Sequence, residues 1–81
     1  MHEFMYTVYI LKDRLGKFYK GMTNNLSRRL KEHNLGKTIT TSKMMDLNLV
    51  YREEYDNFED ARKRELYLKS AAGRRFLKNK L

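Results

Sequence analysis

Two short runs of apolar residues near the N-terminus are typical of β-strands. The run from Tyr6 to Leu11 is rich in β-branched and aromatic residues, and a second run extends from Phe18 to Met22. Between them, Lys12 to Lys17 is polar and contains a glycine, which predicts a β-hairpin. A third strand is predicted from Leu47 to Tyr55, where Leu49, Val50 and Tyr51 are consecutive.

Two segments with helical character lie between and after these strands. The first is predicted from about Leu26 to Asn34, following polar residues that can cap its N-terminus and preceding a glycine that can end it. The second begins after Asp56 or Asn57, and the spacing of Glu65 from Ala61 predicts that this carboxylate lies near the buried side. Gly73 is expected to break the helix, so Arg74 to Lys80 would form a short terminal helix.

The predicted elements follow the order ββαβαα within 81 residues, a length that allows one domain, residues 1–81. A hairpin cannot bury its apolar face by itself, so we expect a small α/β (α+β) fold in which helices flank a sheet. The polar segment from Lys37 to Asp46 is predicted to be a loop, and long loops in small domains are often functional.

The composition favours a polyanionic partner. The chain has 18 Lys and Arg against 10 Asp and Glu, a net charge of +8, which favours nucleic acid first and an anionic membrane second. Without cysteine there are no disulfides or thiolate metal sites. No apolar run approaches the roughly 20 residues that span a bilayer, and Met1 to Met5 shows no signal-peptide pattern, so we expect a cytoplasmic protein.

Two tyrosines and a glycine on the predicted hairpin are candidates for a phosphate site. Tyr9 and Tyr19 lie on neighbouring strands, so their rings share one face if the hairpin pairs in register. Gly21 ends the second strand and would allow a phosphate to approach the backbone closely. The alternative is that these tyrosines only pack, because tyrosine is common in half-buried strands.

The first helix carries basic residues that could complete this site. Arg29 and His33 are four residues apart and therefore share one helix face, with Arg28 on the neighbouring face. The planar guanidinium of Arg29 could bind phosphate oxygens, or it could belong to a solvated basic surface. His33 could accept or relay a proton, or it could hydrogen-bond the helix end.

Glu65 is the only acidic residue between Ala61 and Leu81, a segment that contains eight Lys and Arg. A lone carboxylate in such surroundings usually pairs with its neighbours. It can also bind Mg²⁺, because magnesium sites at phosphates often use one or two protein carboxylates and complete the shell with water and phosphate oxygens. The sequence leaves both roles open.

Several of these residues fall in segments with a familiar order and spacing. The segments are Val8-Tyr9-Ile10, Tyr19-Lys20-Gly21, Thr23 to Asn34, Ala61 to Lys69, and Gly73 to Leu77. Together they make the chain resemble the GIY-YIG nuclease superfamily, and within it the small stand-alone bacterial proteins described as excinuclease-like. The resemblance covers nearly the whole chain, and it is specific because the motifs occur together and in order.

The resemblance implies a central three-stranded antiparallel sheet flanked by helices, and a role for each candidate. Tyr9 matches the tyrosine that acts as general base in some members, and Tyr19 matches the tyrosine at the scissile phosphate. Arg29 matches the arginine that stabilises the transition state, and His33 a position near the site. Glu65 matches the carboxylate that binds a divalent metal ion, Mg²⁺ or Mn²⁺.

The predicted function is therefore metal-dependent hydrolysis of DNA phosphodiester bonds. The alternative is a basic module that binds nucleic acid without cutting it, and either form could require a partner protein or a second copy of the chain. Basic side chains and one glycine are expected to contact the nucleic-acid backbone: Lys20, Gly21, Arg28, Arg62, Arg64, Lys69, Arg74 and Arg75.

Overall fold

A computed structural model describes residues 5–34 and 47–81 of the chain. Within these residues the strands and helices follow the predicted order ββαβαα, and the structure confirms the fold class. The elements are β1 (Tyr6–Lys12), β2 (Phe18–Thr23), α1 (Leu26–Asn34), β3 (Asn48–Tyr55), α2 (Phe58–Lys69) and α3 (Ala71–Lys80). The loop predicted from Lys37 to Asp46 lies outside the described residues.

The sheet has the strand order β2-β1-β3, and both pairings are antiparallel. The central strand β1 is buried on both sides, with Val8, Tyr9 and Ile10 fully inaccessible to solvent. Because successive side chains alternate between the faces of a strand, Val8 and Ile10 point to one face and Tyr9 and Leu11 to the other. These two faces have different roles.

Helices α2 and α3 cover the face that carries Val8 and Ile10. Ala61, Leu68 and Leu77 join these two residues in one apolar cluster. This burial removes apolar surface from water and supplies most of the stabilisation that a domain of this size has. None of the helices in the described ranges combines the length and apolarity needed to cross a bilayer.

A carboxylate on β3 also binds α2 to the sheet. Arg64 Nε and Nη2 donate to the two oxygens of Glu53 at 2.9 and 3.1 Å, and the hydroxyls of Tyr51 and Tyr55 donate to the same carboxylate. Burial by itself would raise the pKa of Glu53, but the hydrogen bonds from Arg64 and the two phenols outweigh it and lower that pKa. The Arg64 guanidinium also stacks 4.9 Å from the ring centroid of Phe76.

The break between the last two helices differs from the prediction. Helix α2 ends at Lys69, and Ser70 caps the N-terminus of α3 through a bond from the Gly73 amide to Ser70 Oγ of 3.2 Å. Gly73 therefore lies inside α3 and does not end a helix. Its function is to allow close approach, because a Cβ at this position would lie 2.1 Å from the carbonyl oxygen of Tyr67 and 2.5 Å from Leu68 Cα.

We expect Gly73→Ala to lower the free energy of unfolding by about 1–3 kcal/mol, the usual cost of overpacking, because the neighbouring atoms are backbone and cannot rotate away. Urea denaturation of this variant and of Asn79→Ala, an exposed position of the same helix, measures the difference. Equal midpoints for the two variants would contradict the close approach.

Candidate active site

The face of the sheet opposite the apolar cluster carries the two candidate tyrosines. Tyr9 pairs with Gly21 and Leu11 with Tyr19, so both phenol rings lie on this face, with ring centroids 6.2 Å apart. Lys20 pairs with Ile10 and points to the other face, as the alternation of a strand requires. The hairpin therefore brings Tyr9 and Tyr19 together as predicted.

Gly21 allows the Tyr9 ring to lie across β2. A Cβ at position 21 would be 2.7 Å from Tyr9 Oη and 3.1 Å from a ring carbon of Tyr19. Any larger residue would therefore push the Tyr9 phenol out of place. The glycine of the second motif is explained here by contact between protein groups, whereas the sequence suggested contact with a phosphate.

Helix α1 places His33 against both tyrosines. Asn25 caps the helix by accepting a 3.0 Å bond from the Arg28 amide. At the other end of the helix, His33 is 1% exposed and its Nε2 lies 2.8 Å from Tyr9 Oη. Its ring also packs edge-on to Tyr19, with centroids 4.6 Å apart.

The buried pair has defined protonation at neutral pH. Burial raises the pKa of Tyr9 to about 12, although contact with the Arg29 guanidinium acts in the opposite direction. Burial lowers the pKa of His33, and the positive charge of Arg29 lowers it further. At pH 7 the phenol therefore keeps its proton and the imidazole is neutral, so the phenol can donate its hydrogen bond to His33.

Arg29 lies beside this pair, and one nitrogen of its guanidinium has no hydrogen-bond partner among the described residues. Its Nη1 donates to Glu32 Oε1 at 3.1 Å, and contact with the Tyr9 phenol raises its pKa. Its Nε is buried and has no hydrogen-bond partner among the residues that the structure describes. An unpaired buried donor is costly, and an acceptor supplied by a ligand would satisfy it.

Glu65 is buried, with 5% of its surface exposed, and both of its oxygens are ion-paired. Arg62 Nη1 donates to Oε1 at 2.7 Å and Lys69 Nζ to Oε2 at 3.0 Å. Within residues 5–34 and 47–81, no group of three or more His, Asp or Glu side chains could hold a metal ion. Lys69 also lines an open cleft together with Tyr19. The partners described for Glu65 are Arg62 and Lys69, and the described contacts do not bring its carboxylate against Tyr9, Tyr19, Arg29 or His33.

The other predicted contacts with nucleic acid are spread over the surface. Arg28 and Arg75 are exposed, whereas the guanidinium of Arg64 is held by Glu53. Lys20 is partly buried, and its pKa is lowered by that burial and by the nearby charges of Arg74 and Lys69. Three cations are therefore crowded together beside β2.

The structure adds two residues that the sequence reasoning missed. Arg52 on β3 pairs with Tyr9, so it lies on the candidate face, and it is exposed. Glu32 holds the Arg29 guanidinium. The i,i+3 spacing of Glu32 could have indicated its contact, but the alignment of Arg52 with Tyr9 depends on a register between strands that no local pattern specifies.

We expect the folded protein to lose stability as pH falls through the range set by His33. The pKa of His33 in the folded protein is below the ordinary value of 6.5, so as the pH falls the unfolded chain binds a proton at a higher pH than the folded chain does. The free energy of unfolding therefore declines below about pH 6.5. Imidazole NMR titration and melting temperatures between pH 7.5 and 5 measure both effects. His33→Gln should remove this part of the decline, whereas His2→Gln is the matched control and should retain it. A His33 pKa at or above 6.5 would contradict the assignment.

Comparisons with known proteins identify a family whose model matches this chain. The family model for the GIY-YIG catalytic domain matches residues 5–79. The chain is 43% identical to a UPF0213 protein of Clostridium perfringens over 63 residues, which are 76% of this chain and 68% of the relative. It is 32% identical to a UPF0213 protein of Staphylococcus saprophyticus over 72 residues, 88% of each chain.

A solved structure is also similar. The solution NMR structure of a UPF0213 protein from Bacillus halodurans matches with a TM-score of 0.58 at 29% identity, covering 93% of this chain and 83% of that one. The match supports the same small sheet-and-helix architecture.

Proposed function

Because this chain belongs to the GIY-YIG family, whose catalytic-domain model matches residues 5–79, we propose that it is a divalent-metal-dependent endonuclease that hydrolyses DNA phosphodiester bonds. The observation that supports this most directly is the convergence of Tyr9, Tyr19, Arg29 and His33 on one face of the sheet. Phenol, imidazole and guanidinium groups together can move a proton and stabilise a phosphate.

Tyr9 and His33 act as one base in this proposal. With a pKa of about 12, the Tyr9 phenol alone would cost roughly 7 kcal/mol to deprotonate at pH 7. Tyr9 is inaccessible to solvent in the free protein, so in this proposal substrate binding first exposes the phenol to the attacking water. Neutral His33 then removes the difficulty, because Tyr9 can take a proton from this water while giving its own proton to His33 Nε2, 2.8 Å away. The hydroxide then attacks the phosphorus as the bond to the leaving oxygen breaks.

Arg29 stabilises the charge that develops on the phosphate. Its unpaired Nε supplies a donor that a non-bridging phosphate oxygen would satisfy. Glu32 keeps the guanidinium in place before substrate arrives, so little reorganisation is needed. Tyr19, beside His33, is positioned in this proposal to contact the same phosphate.

Glu65 would hold the metal ion that the family implies. Its two partners, Arg62 and Lys69, are 49% and 47% exposed, so either side chain can move aside into solvent. A single carboxylate also suits Mg²⁺ or Mn²⁺ when water and phosphate oxygens complete the shell. The bound cation would neutralise charge on the phosphate and the leaving oxygen.

Substrate binding in this proposal depends mainly on the DNA backbone. The net charge of +8 favours phosphate contacts that weaken steeply with salt and carry little sequence information. Lys20, Arg28, Arg74 and Arg75 are the proposed contacts, whereas Gly21 is buried against the Tyr9 ring. Cutting both strands could require a second copy of the chain or a partner protein, and this requirement is part of the proposal. A cytoplasmic location is also a proposal.

The ion-paired state of Glu65 favours one competing function, a basic module that binds nucleic acid without cutting it. Arg62, Lys69 and Arg64 would then contact phosphates directly or position α2. Incubation of the protein with supercoiled, branched and single-stranded DNA, with Mg²⁺ or Mn²⁺ and with EDTA, distinguishes the two functions. Binding without any metal-dependent cleavage would leave only the binding module.

We expect Arg29→Ala to reduce the cleavage rate by about 10²–10³-fold, the usual cost of removing one transition-state donor, with a much smaller loss of binding to uncut DNA in EDTA. Gel-based nicking rates and fluorescence anisotropy measure the two quantities. Lys31→Ala removes one positive charge from an exposed position of the same helix and should change neither strongly. Equal losses of cleavage and binding for Arg29→Ala would reduce Arg29 to a phosphate contact.

We expect Glu65→Gln to weaken the binding of Mn²⁺ to a protein–DNA complex by about tenfold or more, because even residues that only support metal ligands contribute that much. Free Mn²⁺ is measured by electron paramagnetic resonance, with DNA whose phosphorothioate linkages resist cleavage. Glu59→Gln, an exposed position of α2, is the matched control. Unchanged Mn²⁺ binding together with a lower melting temperature would assign Glu65 to its ion pairs alone.

A further inference from the structure

A cleft with an apolar floor and a basic rim lies between the start of β2 and α3. Its volume is about 360 Å³, within the range of small-molecule sites. The lining residues are Phe18, Lys20, Arg74, Leu77, Lys78 and Leu81. The proposed chemistry of Tyr9, His33 and Arg29 uses none of the apolar groups in this cleft.

Phe18 is the main aromatic surface available there. It is 39% exposed, although it lies in an edge strand where a polar residue would be equally compatible with the pairing. The ammonium of Lys12, its partner on β1, lies 5.7 Å from the ring centroid, so the ring is already next to positive charge. An exposed ring beside cations is the arrangement that proteins use to stack unpaired bases.

This cleft adjoins a second cleft at the exposed edge of β2. A second open cleft of about 320 Å³ shares Phe18 and Lys20 with the first and is also lined by Tyr19 and Lys69. Lys20 and Phe18 point to the sheet face opposite to Tyr19, so a strand whose scissile phosphate lies at Tyr19 would cross the exposed edge of β2 to reach them.

The charges in the two clefts match a nucleic-acid strand. Lys20, Lys69, Arg74 and Lys78 line them, and none of the lining residues among those described has an acidic side chain. Cations crowded in this way repel one another, and phosphates placed between them would relieve that repulsion. The apolar floor, by contrast, is suited to a base.

We propose that this cleft holds an unpaired base of the bound strand, stacked on Phe18, with its phosphates on Lys20 and Arg74. The inference rests on the proposed function in one respect, since it takes the strand in the cleft to be the substrate. A base inside a duplex presents neither face to a protein side chain. The proposal therefore predicts preference for single-stranded, frayed or branched nucleic acid over an intact duplex.

The absence of tryptophan from the sequence makes Phe18→Trp a selective reporter. We expect the fluorescence of this variant to be quenched by a 15-nucleotide oligo-dT in EDTA, and far less by a blunt duplex hairpin whose loop is a linker without bases. Phe58→Trp is the matched control, because Phe58 is 54% exposed and contacts Tyr6 at the opposite end of β1. No quenching for Phe18→Trp, equal quenching by the hairpin, or equal quenching for both variants would overturn the proposal.

Anisotropy provides a second measurement. Phe18→Ala should bind oligo-dT about tenfold more weakly, within the range for loss of one base–aromatic stack, while binding the hairpin almost unchanged. Both measurements use EDTA and do not depend on cleavage. If the protein cuts DNA but shows neither the quenching nor the loss of oligo-dT binding, the proposed endonuclease function stands and the proposal for this cleft is wrong. If it shows both effects but never cuts DNA, the proposal for the cleft stands and the proposed endonuclease function is wrong.

Discussion

The hydrogen bond between Tyr9 Oη and His33 Nε2 connects the central strand to α1, and the candidate active site depends on it. Tyr9 is fully buried, and His33 is 1% exposed, so water does not replace either partner. This burial keeps the imidazole neutral and the phenol protonated at pH 7. The same contact that attaches the helix to the sheet thus prepares a proton donor and acceptor for the proposed chemistry.

The central strand β1 serves both faces of the sheet at once. Val8 and Ile10 pack against α2 and α3, whereas Tyr9, between them in sequence, reaches toward α1. A shift of one residue in the register would exchange these faces and destroy core and site together. Gly21 maintains the arrangement on the site side, because only a residue without Cβ allows the Tyr9 ring to cross β2.

Most of what the sequence predicted correctly depends on local periodicity. Alternation along the strands, combined with the pairing of the hairpin, put Tyr9 and Tyr19 on one face, and the four-residue spacing put Arg29 and His33 on one side of a helix. The features that the sequence missed depend on contacts between distant segments. Gly73 was predicted to break a helix because glycine often does so, but its neighbours at the end of α2 are visible only in three dimensions. The pairing of Arg52 with Tyr9 likewise depends on the register of β3.

Glu65 shows how one residue can serve the fold and the proposed reaction. As a buried carboxylate it requires compensation, and Arg62 and Lys69 provide it in the protein without substrate. Both partners are about half exposed, and Lys69 lines the cleft beside Tyr19, so an incoming phosphate would compete with Glu65 for Lys69. Binding of the substrate would then leave a Glu65 oxygen without its cation, and a divalent ion is the group best able to compensate it. In the proposed function the ion pairs would stabilise the carboxylate until nucleic acid arrives, and metal binding would follow substrate binding.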